Sequence, residues 1–326
     1  MAQRATAVAC SNIAFCKYWG NTNHALRLPV SGSISMNLGG LYTRTTVHFN
    51  PELRVDCANV DGKEMLGGGL ERISKHLDFA RQLAGITTRA EVLSENNFPT
   101  GAGIASSASA FAALSVASAA ALNLSLTERE LSAYARLGSG SASRSIPGGF
   151  VEWYLGTDHA SSYAESIAPA DHWALTDLVA IVSTAHKATG STEGHQLADT
   201  SPLQSARVAS ASERITRCRN AILSKDFEAF ASVVELDSDI MHAVMQTSTP
   251  PLLYWLPATV AIMRRVRELR ADGIGVCYTI DAGANVHCMC APGESAKVRA
   301  ALEAIQGVTD IRVAMPGSAA YVERVG

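Results

Sequence analysis

Four short segments of this 326-residue chain gather residue types that bind or transfer charged groups. The first, Asn97-Phe98-Pro99-Thr100-Gly101-Ala102-Gly103-Ile104-Ala105-Ser106-Ser107-Ala108, joins an expected strand to a long apolar helix. Glycine-freed backbone amides, the hydroxyls of Ser106 and Ser107 and a helix N-terminus would aim positive ends at one place, which favours phosphate. The loop approaches GxGxxG, but Ser106 holds the third glycine position and no acidic residue ends a strand about 20 residues later, which disfavours a dinucleotide. Nor does Gly-Lys-Ser/Thr follow, so it is not a Walker loop. Taken alone, a glycine turn feeding a Ser-capped helix would look the same.

The second segment, Lys17-Tyr18-Trp19-Gly20, puts a cation beside two aromatic rings at a turn; a packed Trp19 and a solvated Lys17 are the plainer alternative. In the third, Gly138-Ser139-Gly140-Ser141-Ala142-Ser143-Arg144-Ser145, one arginine sits among hydroxyls, and its planar fork suits a carboxylate or phosphate. A Ser-rich surface loop is the alternative there. The fourth places Asp281 in Thr279-Ile280-Asp281-Ala282-Gly283, where a carboxylate can orient or deprotonate a hydroxyl. The same residues also make an ordinary turn.

Elements must bring these segments together. Residues 5–16 and 33–49 carry alternating or apolar runs rich in Val, Ile, Thr and Tyr, which predict strands. Helical spacing covers 70–84, a strand 90–94, and helices run from about 105 to 122 and onward from Thr127, where Glu130 completes a capping box. Residues 139–149 are too polar and flexible for a core element. Strands are expected at 150–154 and 178–183, and helical patterns over 201–246 and 257–271. Strands at 275–280 and 286–290, a helix at 294–305 and a strand near 310–314 follow. That closing order suits a ferredoxin-like split βαβ half. The class is α+β, with an N-terminal domain over 1–185 and a C-terminal domain over 186–326.

Apolar residues make up 47% of the chain and charged residues 17%, as in ordinary folded enzymes. Lys plus Arg number 27 against 30 Asp plus Glu, so there is no basic surplus for nucleic acid, and an anionic ligand must be small and held locally. Seven scattered cysteines with no CxxC pair suggest free thiols and a cytoplasmic location. The most apolar run, 108–124, is broken by serines and Asn123, so no membrane span is expected. Ala7-Val8-Ala9-Cys10 lacks the hydrophobic stretch that a cleaved leader needs and is taken as strand.

In order, Asn12-Ile13-Ala14 with Lys17-Tyr18-Trp19-Gly20, Glu95-Asn96-Asn97-Phe98-Pro99, Ala105-Ser106-Ser107-Ala108, Gly138-Ser139-Gly140-Ser141 with Arg144, and Tyr278-Thr279 with Asp281-Ala282-Gly283 resemble the mevalonate diphosphate decarboxylase family of the GHMP kinase superfamily. Ser191-Thr192-Glu193-Gly194 is similar to a further family segment. The resemblance implies an N-terminal half like domain 2 of ribosomal protein S5, a ferredoxin-like C-terminal half and an active site in the cleft between them. It implies that ATP, with Mg²⁺, phosphorylates the C3 hydroxyl of a phosphorylated mevalonate, after which phosphate and carbon dioxide leave. A homodimer is expected.

Asp281, Lys17 and Arg144 would be catalytic: the first orients the hydroxyl and helps remove its proton, the second holds developing charge, the third pairs with the C1 carboxylate. Tyr18, Trp19, Asn21, Arg72, Ser139, Ser141 and Ser191 would bind substrate. Pro99, Thr100, Gly101, Gly103, Ala105, Ser106 and Ser107 would cradle the ATP phosphates. No metal ligand among the side chains is expected.

One departure bears on the substrate. The family usually continues Gly-Lys-Arg-Asp where this chain has Gly20-Asn21-Thr22-Asn23. A charged hydrogen bond is worth about 1.5 to 3 kcal/mol, roughly tenfold to a hundredfold in binding, so its loss favours mevalonate 5-phosphate over the diphosphate. Mevalonate 5-diphosphate giving isopentenyl diphosphate, or acceptance of both forms, stays open, as do a small-molecule kinase without decarboxylation and an inactive nucleotide-binding homologue.

Overall fold

The computed structural model describes residues 3–98, 106–185 and 189–326. Two long antiparallel strands organise the N-terminal half, Arg4–Cys16 and Ser33–Phe49. The first is buried at every position after Arg4, because both of its faces are covered. Their register slips between Cys10 and Ser11, where the partner jumps from Tyr42 to Leu38 and Gly40 takes a φ of 87° that a side chain would resist. A bulge of this kind re-aims side chains. Before it, Ala5, Ala7 and Ala9 pack in the core under the helix Ser106–Ala121; after it, Ile13 and Phe15 face a second core, and Asn12 and Ala14 turn toward the site.

The helix Ser106–Ala121 is buried along most of its length, and its small side chains let it lie close on the strands. Two of its hydroxyls bond back to the helix: Ser115 donates to the Phe111 carbonyl at 2.7 Å and Ser118 to the Ser115 carbonyl at 3.1 Å. The next helix, Glu128–Gly138, begins with the Thr127 and Glu130 capping box. Residues 139–149 depart from expectation. Gly140–Ser145 is a 3₁₀ turn, buried apart from Ser141, rather than a flexible loop outside the core. Its polar groups find partners one by one: Ser143 donates to the Gly140 carbonyl at 2.8 Å, Ser132 to the Ser143 carbonyl at 3.0 Å, and Asn12 to the Ser141 carbonyl at 3.1 Å.

In the C-terminal half the helix Pro257–Ala271, the strands Val276–Thr279 and Val286–Cys290, the helix Ser295–Glu303 and the strand Asp310–Pro316 follow the expected order. Thr176–Ile181, which precedes the boundary expected at 185, lies between Val286–Cys290 and Asp310–Pro316, antiparallel to both. Pro316 then pairs with Leu38, so the sheet is continuous across the halves. A last strand, Tyr321–Val325, was not anticipated; it returns to pair with Arg4–Cys16, Val325 opposite Ala5. The seven cysteines are unpaired, and no helix among the described residues is long and apolar enough to cross a membrane.

Candidate active site

Lys17 follows directly on the strand Arg4–Cys16, and the turn it opens is held by a buried ionic frame. The Lys17 amide donates to Asp237 Oδ1 at 2.7 Å, and Arg214 Nε donates to the other oxygen of that carboxylate at 2.6 Å. Arg207 donates to the Lys17 carbonyl at 2.6 Å and the Trp19 carbonyl at 3.0 Å. Gly20 closes the turn with a φ of 95°, and a Cβ there would come within 2.5 Å of Gln204 Nε2. Its amide donates to Nδ1 of His195, whose ring lies 4.1 Å from that of Tyr18 and 4.6 Å from that of Trp19, centroid to centroid.

Asp281 arrives from the far end of the chain. Thr279 donates to the Ala14 carbonyl at 3.1 Å and the Ile280 amide to Ser238 Oγ at 3.0 Å, which pins the end of the strand against the N-terminal half. Lys17 Nζ then meets Asp281 Oδ1 at 2.6 Å, with the lysine side chain 1% exposed and the aspartate 29% exposed. Burial works against ionisation of Asp281, yet the Lys17 ammonium, its hydrogen bond, His287 and Arg144 hold the carboxyl below its ordinary value. Burial lowers Lys17 from the ordinary lysine value, opposed by Asp281 and Asp237.

Arg144 is buried beside this pair. Its Nη1 donates to Ser33 Oγ at 2.6 Å and Nη2 to Asn12 Oδ1 at 3.3 Å, while Nε has no partner. Burial brings it down to about 10, against the pull of Asp281. Ser107, Ser139 and Ser141 form a run of hydroxyls, 3.2 Å and 3.3 Å apart, from the start of the helix Ser106–Ala121 to the 3₁₀ turn.

These groups share one cavity of about 600 Å³. Its wall includes Lys17, Arg144 and Asp281, the expected binding residues Tyr18, Trp19 and Arg72, and the serines at 106, 107, 139, 141 and 191. Asn21 is not on that wall: its amide oxygen accepts the Tyr18 hydroxyl at 2.5 Å, and its amide nitrogen lies 3.4 Å from His24 Nδ1. Trp19 joins the cavity with part of its surface and an apolar cluster with Met241 and Met245 with the rest. Pro99, Thr100, Gly101, Gly103 and Ala105 lie outside the described residues.

Sequence reasoning missed Arg27, Glu193, His195 and Met241, all of which line the cavity. Glu193 lies within the segment Ser191–Gly194 but was given no role there; no local motif marks Arg27, His195 or Met241, which only the fold brings in. The described wall carries four cations, Lys17, Arg27, Arg72 and Arg144, against the carboxylates of Asp281 and Glu193, so it favours an anionic occupant. The arrangement can accept a proton from a hydroxyl at Asp281, stabilise charge at Lys17 and hold a carboxylate at Arg144.

Burial holds three histidines neutral, bringing His76 and His195 from 6.5 to about 3 and His242 to about 4. The unfolded chain binds more protons than the folded one between those values and 6.5. Stability from this source is therefore complete above 6.5 and declines as the pH falls toward 4, by at most about 1.4 kcal/mol per histidine per pH unit. Urea midpoints should hold from pH 7.5 to about 6.5 and fall from there to pH 5, and a profile flat throughout would contradict neutral burial.

A family model for the diphosphomevalonate decarboxylase-like N-terminal domain matches residues 9–164, and one for the mevalonate 5-diphosphate decarboxylase C-terminal domain matches 177–320. Diphosphomevalonate decarboxylase from Aspergillus fumigatus is 38% identical, over 93% of this chain and 81% of the relative. Phosphomevalonate decarboxylase from Haloferax volcanii is 35% identical, over 87% of each. A solved complex of the protein called MDDEF with MVAPP, AMPPCP and magnesium superposes with a TM-score of 0.93 at 33% identity, over 99% of both chains.

Proposed function

The chain belongs to the diphosphomevalonate decarboxylase family and has the GHMP kinase fold, and on that premise we propose that it is an ATP-dependent carboxy-lyase whose preferred substrate is mevalonate 5-phosphate. ATP phosphorylates the C3 hydroxyl; loss of that phosphate together with the C1 carboxylate as carbon dioxide leaves the alkene, isopentenyl phosphate. The observation that carries the reading is the Lys17–Asp281 ion pair at 2.6 Å, on the same cavity wall as Arg144.

Phosphoryl transfer passes through a loose transition state, so the attacking hydroxyl need not be fully deprotonated at the start. Asp281, held ionised by Lys17, orients the hydroxyl and takes its proton as the bond forms. Lys17 offsets charge on the oxygens in transit. Arg144 fixes the carboxylate so that the breaking C–C and C–O bonds stay aligned, which is the orientational part of the elimination. The N-terminus of the helix Ser106–Ala121 and the hydroxyls of Ser106 and Ser107 suit the ATP phosphates, and Mg²⁺ accompanies them to neutralise their charge. The AMPPCP and magnesium in the MDDEF complex support that assignment.

The monophosphate preference rests on Asn21 standing where the family has lysine and turning its amide to Tyr18. The Haloferax volcanii relative, named for phosphomevalonate, is compatible with it. Steady-state comparison of the two substrates should give the larger kcat/KM for the monophosphate; a preference for the diphosphate above about tenfold overturns the preference. Release of carbon dioxide in step with ATP consumption is expected, whereas accumulation of a stable 3-phosphate without it would identify a kinase.

A further inference from the structure

Arg27 ends a turn over residues 24–27 between the short strands Asn21–Asn23 and Leu28–Pro29, and its φ is 50°. A left-handed backbone is uncommon for so large a side chain and persists only where the surroundings hold it. Here two long-range bonds do so. Arg136 Nε donates to the Leu26 carbonyl at 3.0 Å, and Arg27 Nε donates to the Leu137 carbonyl at 3.0 Å.

The Leu137 carbonyl belongs to the last turn of the helix Glu128–Gly138. The next one, that of Gly138, accepts both Nε of Arg72 at 3.2 Å and Nη2 of Arg72 at 2.6 Å. Two guanidinium groups are thereby fixed at the negative end of one helix, on the wall of the cavity. The chain runs on from Gly138 directly into Ser139 and Ser141, which line the same wall. Among the described residues no carboxylate pairs with either arginine. Burial lowers both, Arg72 to about 10, and Arg27 adds to the lowering of Arg72, so the two cations repel each other. Paired cations on a cavity wall, neither with a carboxylate partner of its own, are stabilised by an anion that bridges them.

We propose that Arg27 determines specificity by clamping, together with Arg72, the phosphate group of the substrate, in place of the cation absent at position 21. The inference rests on the reading of the substrate as a phosphorylated mevalonate. Both forks are anchored through Nε, which leaves Nη1 and Nη2 of Arg27 to meet the phosphate without first being ordered.

Arg27→Gly is the decisive variant, because glycine accepts the positive φ and the turn survives loss of the side chain. Calorimetry with mevalonate and with mevalonate 5-phosphate separates the roles. The variant should bind the 5-phosphate at least about tenfold more weakly and mevalonate within about twofold of the parent, with KM for the phosphorylated substrate rising and kcat changing little. Arg27→Lys, which retains a charge but not the fork, should fall between. Equal weakening of both ligands, no weakening of either, or a rise confined to the KM for ATP would overturn the proposal. If the parent prefers the diphosphate, the monophosphate preference falls, and the same ratio measured with the diphosphate still decides the role of Arg27. A parent that binds neither phosphorylated form refutes the substrate reading itself.

Discussion

Asp281→Asn is expected to lower kcat by at least about a hundredfold and to leave the fold intact, because it removes the proposed proton acceptor and the charge that balances Lys17 without changing side-chain volume. The loss is expected in kcat more than in KM, since the carboxylate contributes most as the hydroxyl proton departs. Single-turnover measurement of phosphoryl transfer at saturating substrate reads that step directly. The 29% exposure of Asp281 lets it reach a bound hydroxyl from the cavity, while Lys17 at 1% stays behind it. A variant with near-full activity would mean that Asp281 only anchors Lys17, and the chemistry would have to be assigned elsewhere.

Asp237→Asn gives the largest expected loss of stability. Asp237 is 2% exposed and ties the Lys17 amide to Arg214, whose Nη2 also bonds the Arg207 carbonyl at 3.0 Å. Removing one charge of a buried pair leaves the other unbalanced and costs about 3 to 5 kcal/mol, a large share of the roughly 5 to 15 kcal/mol by which domains are stable. Urea denaturation followed by circular dichroism measures it. A loss under about 1 kcal/mol would show that apolar packing, not this ionic frame, holds the turn.

What the sequence revealed of this molecule follows from how far each feature depends on its neighbours. The helix over Ser106–Ala121 and the capping box at Thr127 are local patterns, and they lie where residue spacing puts them. The four chemistry-bearing segments are each a contiguous run, and their described residues Lys17, Ser106, Ser107, Ser139, Ser141, Arg144 and Asp281 share one cavity wall. The burial of Gly140–Ser145 was not, because its polar groups are satisfied by Asn12 and Ser132, which no window around residue 142 contains. Tyr321–Val325 has no alternation, all five residues being exposed, and owes its existence to backbone pairing with a strand at the other end of the chain. Nothing in the sequence around Arg27 marks it, and only the fold brings its long side chain to the cavity wall, whereas the shorter Asn21 meets Tyr18.

The partners of the central ion pair are separated by 264 positions. During synthesis from the N-terminus, the ammonium of Lys17 exists well before the ribosome has made the carboxylate that will neutralise it. The N-terminal half waits with that charge unbalanced until the strand that leads to Asp281 docks against it through Thr279 and the Ala14 carbonyl.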